Sequence, residues 1–151
     1  MSIRQLASFL TTLVLVLAAP AVRAADNPGV PPEEAQFAPG KEVKILDPKT
    51  GGLGWYLVYT PKDYTPDREW PTLFCYHGHN GDPTTWPIKQ ATDGNGYIIV
   101  GMEYLDRETA NDPKQDIENL NRIRAFVGSK LRINSKLVFM GGFSQGGWST
   151  S

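Results

Sequence analysis

The chain has 151 residues, 40% of them apolar and 21% charged, with 15 basic against 16 acidic side chains and a formal net charge of −1 at pH 7. A balance so close to neutral gives no electrostatic case for nucleic acid, whose phosphates demand a surplus of Lys and Arg. A single cysteine, Cys75, excludes an internal disulfide, and its place inside an apolar run marks a buried, inert thiol rather than a reactive one.

At the N-terminus, Arg4 precedes an apolar stretch from Leu6 to Ala19 and a small-residue end, Val22-Arg23-Ala24, which together read as a secretory signal peptide over residues 1–24. A membrane anchor fits less well. The apolar stretch is shorter than the roughly 20 residues a spanning helix needs, and Ser8, Thr11, Thr12 and Pro20 interrupt it. Cleavage removes Arg4 and Arg23, leaving 13 basic against 16 acidic residues and a formal charge of −3. The expectation is a secreted or periplasmic protein with no membrane attachment after cleavage.

Asp26 to Gly40 is rich in Pro and Glu and has no periodicity, so residues 25–41 read as a flexible leader. Two strands follow, Glu42 to Leu46 and Gly54 to Thr60, joined by the turn-forming Asp47-Pro48-Lys49-Thr50-Gly51-Gly52 as a hairpin. The next strand, Thr72 to Tyr76, runs directly into His77-Gly78-His79-Asn80-Gly81. Pro83 to Ala91 is a short helix or irregular, and Asp93-Gly94-Asn95-Gly96 is a turn introducing the strand Tyr97 to Val100. Asp112-Pro113-Lys114-Gln115 then supplies an N-cap, a first-turn proline and a capping-box glutamine. Behind it Ile117, Leu120, Ile123, Val127 and Leu131 mark one face of an amphipathic helix of about 17 residues. The apolar run Leu137 to Met140 closes a strand, helix, strand unit, expected as a right-handed crossover. Alternating strands and helices place the chain in the α/β class.

Two motifs carry chemistry. Gly142-Phe143-Ser144-Gln145-Gly146 is a G-x-S-x-G nucleophile elbow behind an apolar strand, the context in which a strained turn lifts a serine hydroxyl out of a sheet. Its glycines, Gly142 and Gly146, let strand and helix approach without a Cβ clash. The loop at His77 to Gly81 stands where an oxyanion hole belongs, because acyl transfer builds negative charge that preorganised N–H groups must meet. Its donors are expected to be the backbone N–H groups of Gln145 and His79, with Gly78 and Gly81 letting the loop fold close to the substrate. His77 reads better as a structural turn residue than as a reacting group. Two histidines two residues apart, with no third His or Cys nearby and only carboxylates such as Asp82 in reach, do not make a metal site.

On these residues the chain resembles the N-terminal part of an α/β-hydrolase. Gly141 to Gly147 is similar to the elbow of the phospholipase/carboxylesterase and acyl-thioesterase branch. The segment Tyr56-Leu57-Val58-Tyr59-Thr60-Pro61-Lys62-Asp63-Tyr64, with Trp70-Pro71 and the His-Gly loop, looks more like secreted polyhydroxybutyrate depolymerases and feruloyl esterases. The resemblance spans about Val43 to Thr150. It implies an α/β-hydrolase fold truncated after the elbow, with residues 42–151 forming a partial domain of a carboxylic-ester hydrolase. Ser144 would be its nucleophile, it would need no metal or organic cofactor, and its substrate would be a small or polymeric ester. In this fold the order along the chain is Ser, then Asp or Glu, then His, so the acid and base positions have no counterpart in this sequence. A serine peptidase of prolyl-oligopeptidase type and a non-catalytic interaction protein are the alternatives; the oligomeric state is left open.

Overall fold

The computed structural model describes residues 36–50, 53–108, 110 and 112–150. The expected signal segment 1–24 and residues 25–35 of the expected leader lie outside the described residues. Five strands, β1 (Glu42–Leu46), β2 (Trp55–Tyr59), β3 (Trp70–Tyr76), β4 (Ile98–Met102) and β5 (Ile133–Gly142), form one sheet in the order β1-β2-β4-β3-β5. The hairpin strands β1 and β2 pair antiparallel, and β2 pairs antiparallel with β4. By contrast β3 is parallel to both of its neighbours, β4 and β5, so three parallel strands end together at Tyr76, Met102 and Gly142. The sequence anticipates this mixed α/β arrangement of strands, with hairpin first and parallel strands after.

Strand boundaries differ from the expected ones: β2 is one residue shorter at each end, β5 runs well beyond Leu137 to Met140 on its N-terminal side, and β3 and β4 also shift. β3 begins at Trp70, because the buried Trp70 donates its N–H to the Arg132 carbonyl at 2.7 Å and its indole N–H to the Thr65 carbonyl at 2.8 Å. Pro71 has no N–H to give the ladder, and the pairing with β5 slips between Trp70 and Thr72. β4 continues through Gly101 to Met102, with all five residues buried. Gly101 has to be glycine there: a methyl group on it would stand 2.7 Å from the backbone of Thr84, which crosses the strand.

The helices are α1 (Ile88–Ala91), α2 (Pro113–Lys130) and α3 (Gln145–Trp148). Asp112 caps α2, its Oδ1 accepting from the Lys114 N–H at 3.0 Å. The Gln115 side chain also contacts the cap, its amide donating to Asp112 Oδ2 at 3.2 Å. Ile123, Val127 and Leu131 pack in one core with Trp70, Phe74, Tyr76, Val100 and Met102, as the helical spacing predicts. The first turns depart from that prediction. Ile117 is 59% exposed and Leu120 is half-buried, while Asp116 and Asn119 point inward. The reason lies in polar demand at the end of β4, where Asn119 Nδ2 donates to the Glu103 carbonyl at 2.6 Å. Arg122 on the same helix pairs with Asp47 of the hairpin turn.

The leader also differs from expectation over its described residues. Phe37 is buried, 6.5 Å from the ring of Phe126, and Gly40 and Lys41 bond the Thr60 backbone at the end of β2. An aromatic side chain and backbone bonds that continue the β1–β2 pairing dock the segment despite its polar composition. Among the described residues, no helix is long and apolar enough to cross a membrane.

Candidate active site at the ends of β3 and β5

Strand β5 ends at Gly142, and α3 starts three residues later, so the chain reverses across Phe143 and Ser144. Ser144 takes φ 54° and ψ −117°. A non-glycine residue in that region costs on the order of 1–3 kcal/mol and persists only where its surroundings fix it. Here the Phe143 N–H bonds the Tyr76 carbonyl at 3.2 Å, Gly146 bonds the Phe143 carbonyl at 2.9 Å, and Gly147 bonds the Ser144 carbonyl at 2.9 Å. The two glycines expected at the elbow are demanded sterically. A methyl group on Gly142 would lie 2.1 Å from the Gly146 backbone, and one on Gly146 would lie 2.3 Å from the Tyr76 carbonyl oxygen. Ser144 itself is exposed at the top of the sheet.

The loop after β3 stands beside it. A methyl group on Gly78 would sit 3.4 Å from Ser144 Cβ and 3.2 Å from Phe143 Cδ1, so the loop runs directly against the elbow. The Gly81 N–H closes a turn on the Gly78 carbonyl at 3.0 Å, with Asn80 at φ 56°. His79, at the tip, is exposed, and Gln145 is half-buried at the start of α3. The fold therefore brings Ser144 and the His77–Gly81 loop together, through elements 67 residues apart in sequence.

His77 is 5% exposed, and both of its ring nitrogens are engaged: Nδ1 with the Gly78 carbonyl at 2.7 Å and Nε2 with Glu103 Oε1 at 3.0 Å. Glu103, just past β4, is fully buried. It also accepts from the Tyr104 N–H at 2.9 Å, from Arg107 Nε at 3.2 Å and from Arg107 Nη2 at 2.6 Å. Burial pushes its carboxyl up, but the hydrogen bonds from His77, Arg107 and the Tyr104 amide prevail and hold it below the ordinary glutamate value. Arg107 reaches on to the Gly81 carbonyl at 2.9 Å, and the Tyr104 hydroxyl donates to the His77 carbonyl at 2.8 Å. Both ends of the loop are thus fastened to one buried carboxylate and its neighbours.

Sequence reasoning missed Glu103, Tyr104 and Arg107. A usable signal existed: an acid directly after a wholly apolar strand, followed four residues later by an arginine, is a buried ion pair in waiting. Cys75, behind the loop, is half-buried where the sequence predicts full burial, because it faces away from the core side of β3; burial still pushes its thiol up to about 11. Among the described residues no group of three His, Cys, Asp or Glu side chains comes together to hold a metal ion.

No family model and no curated protein matches the chain. Among solved structures it is similar to one described as "Crystal Structure of a Thermostable Esterase", with a TM-score of 0.49 and 19% identity over 72% of this chain and 35% of that one. The chain spans about a third of that protein's length. Likeness at this level carries no weight for the site, whose reading rests on its own geometry.

Proposed function

We propose that this chain carries the nucleophile and oxyanion loop of a serine hydrolase acting on carboxylic esters, in an α/β-hydrolase domain exported by its N-terminal segment. The observation that carries the reading is the backbone of Ser144: positive φ, between a parallel strand and a helix, with glycine forced on both sides and a second glycine loop against its Cβ. Strain of that kind is maintained where a side chain has to be presented.

In the proposed reaction the Ser144 hydroxyl attacks the ester carbonyl, and the carbonyl oxygen takes up negative charge facing the N–H groups of Gln145 and His79. Neither amide bonds another backbone carbonyl among the described residues, so both are open to that role. The alcohol leaves, and water then hydrolyses the acyl-serine. Serine needs a base for its proton. His77 is a poor one, since its ring is buried between the Gly78 carbonyl and Glu103, and residues 145–151 contain no Asp, Glu or His. In this reading the acid and base of a triad come from outside this 151-residue sequence. The substrate is a small or polymeric ester, and no metal or organic cofactor takes part.

Phosphonylation tests the proposal directly. A fluorophosphonate should modify the folded chain slowly and at Ser144 alone, as read by peptide mass spectrometry, and the Ser144→Ala variant should stay unmodified. Labelling spread over other serines, or none after prolonged exposure of folded protein, would remove Ser144 from the nucleophile role.

A further inference from the structure

The loop that carries His79 is held by side chains that take no part in the proposed reaction. Its Gly78 carbonyl accepts twice, from His77 Nδ1 at 2.7 Å and from the Gly81 N–H at 3.0 Å. That oxygen can only accept, so Nδ1 carries the hydrogen. The Gly78–His79 peptide is trans and planar, and its N–H therefore points opposite to its carbonyl. With the carbonyl fixed on the His77 ring, the His79 N–H is turned away from that ring. Losing the ring bond would free the peptide to rotate and carry the N–H with it.

The ring is fixed in turn by Glu103, whose Oε1 lies 3.0 Å from His77 Nε2 with both side chains buried. The same carboxylate takes two bonds from Arg107, and Arg107 Nη2 also donates to the Gly81 carbonyl at 2.9 Å. An apolar replacement of similar volume is often as stable as a buried ion pair, so stability is a weak reason for a carboxylate at this place. Orientation is a stronger one. We propose that Glu103 is a positioning residue for the oxyanion hole: through the His77 ring it fixes the Gly78–His79 peptide and keeps the His79 N–H available to an oxyanion forming at Ser144. The inference rests on the reading of Ser144 as nucleophile and of the His79 amide as donor.

Fluorophosphonate labelling of the folded chain reads this role, because the phosphoryl oxygen gathers charge as the serine adds. Glu103→Leu leaves Nε2 without an acceptor. It should lower the saturating rate of Ser144 labelling about tenfold, less than the roughly 10² to 10³ of losing a donor outright, at an unchanged half-saturating reagent concentration. Glu103→Gln still offers Nε2 an amide oxygen and should recover most of the rate. Val127→Ala, a core change on α2 about two turns beyond Asn119, should lower the urea midpoint and leave the labelling rate of the folded protein alone. A merely structural Glu103 gives rates that follow the folded fraction, measured by circular dichroism, in all three variants, and that result overturns the proposal. Should Glu103→Leu fail to fold, His77→Phe keeps the ring, loses both of its bonds and should show the same loss. In the wild type, long-range 1H–15N spectra should find His77 Nδ1 protonated; a bare Nδ1 overturns the proposal. The two readings fail differently. Wild-type labelling that Glu103→Leu leaves intact removes the positioning role and spares the nucleophile, whereas no labelling of wild-type Ser144 removes the nucleophile and the oxyanion role of the loop with it.

Discussion

Strands β4 and β5 are both apolar, both parallel to β3 and both close to the candidate site, yet the sheet treats them in opposite ways. Every residue of β4 is buried, between β2 and β3 and beneath the loop at Thr84. β5 has β3 on one side and no strand on the other among the described residues, and Leu137, Phe139 and Met140 are 42%, 43% and 36% exposed. Burial here is a property of neighbours, not of the strand's own hydrophobicity. The candidate site sits on the junction: the His77–Gly81 loop is anchored at the buried end of β3 and β4, while Ser144, the proposed nucleophile, follows the exposed strand.

The largest effect should come from the buried side. Glu103→Ala would leave His77 and Arg107 facing an apolar hole, at a cost of about 3–5 kcal/mol, the range for breaking a buried charge pair. Glu103→Gln keeps the volume and should cost less; urea midpoints compare the two. The pH dependence has a defined sign. Because the folded carboxyl is held below its ordinary 4.5, its stabilisation is present above that value and is lost as pH falls through the lower folded one. Acid unfolding of the wild type should therefore be steeper below pH 4.5 than that of Glu103→Gln.

Next in size is the elbow itself. Gly146→Ala places a methyl group 2.3 Å from the Tyr76 carbonyl, which backbone cannot yield without breaking the turn, and should destabilise by about 3 kcal/mol. Gly147→Ala meets only the Gly142 carbonyl at 3.7 Å and should cost under about 1 kcal/mol. Equal losses for the two would mean that the tight approach of α3 to β3 is absent in solution. On the bare side, Phe139→Lys should shift stability by no more than about 0.5 kcal/mol while lowering self-association in analytical ultracentrifugation, whereas Ile99→Lys on β4 should prevent folding. A Phe139→Lys penalty as large as a core substitution would show that β5 is covered.

The sequence made the strand order of events readable because apolar runs, glycine turns and the Asp112-Pro113 helix start are local signals. The elbow was legible for the same reason: Gly142 and Gly146 encode a contact only a few residues long. What stayed hidden is non-local. Nothing local in Glu103 says that it will meet His77, 26 residues earlier, at 3.0 Å. Ile117 misled because helical periodicity assumes a core on one uniform side, and here Asn119 was needed to satisfy the Glu103 carbonyl while Ile117 faced the bare edge beside Met140. Phe37 was lost in a polar context, where one aromatic outweighs its neighbours once the ring of Phe126 offers it cover.

The smallest expected effect is on turnover, and it bears most directly on function. Serine hydrolases that lose a triad member keep only about 10³ to 10⁴ of rate over water, contributed by oxyanion binding and positioning. This chain places Ser144 beside the His77–Gly81 loop; His77 is held by Glu103, and in the proposed reading the base comes from outside these 151 residues. The proposed oxyanion donors, moreover, span the buried and the exposed sides of the sheet, Gln145 following the less protected strand. Hydrolysis of p-nitrophenyl acetate by residues 25–151 should match that of the Ser144→Ala variant within error, even as the fluorophosphonate slowly finds Ser144. Robust hydrolysis lost in Ser144→Ala would mean that a base is in place. Testing His77→Gln and His79→Gln in turn would then show whether the exposed loop histidine, the one of the two with freedom to move, has taken that role.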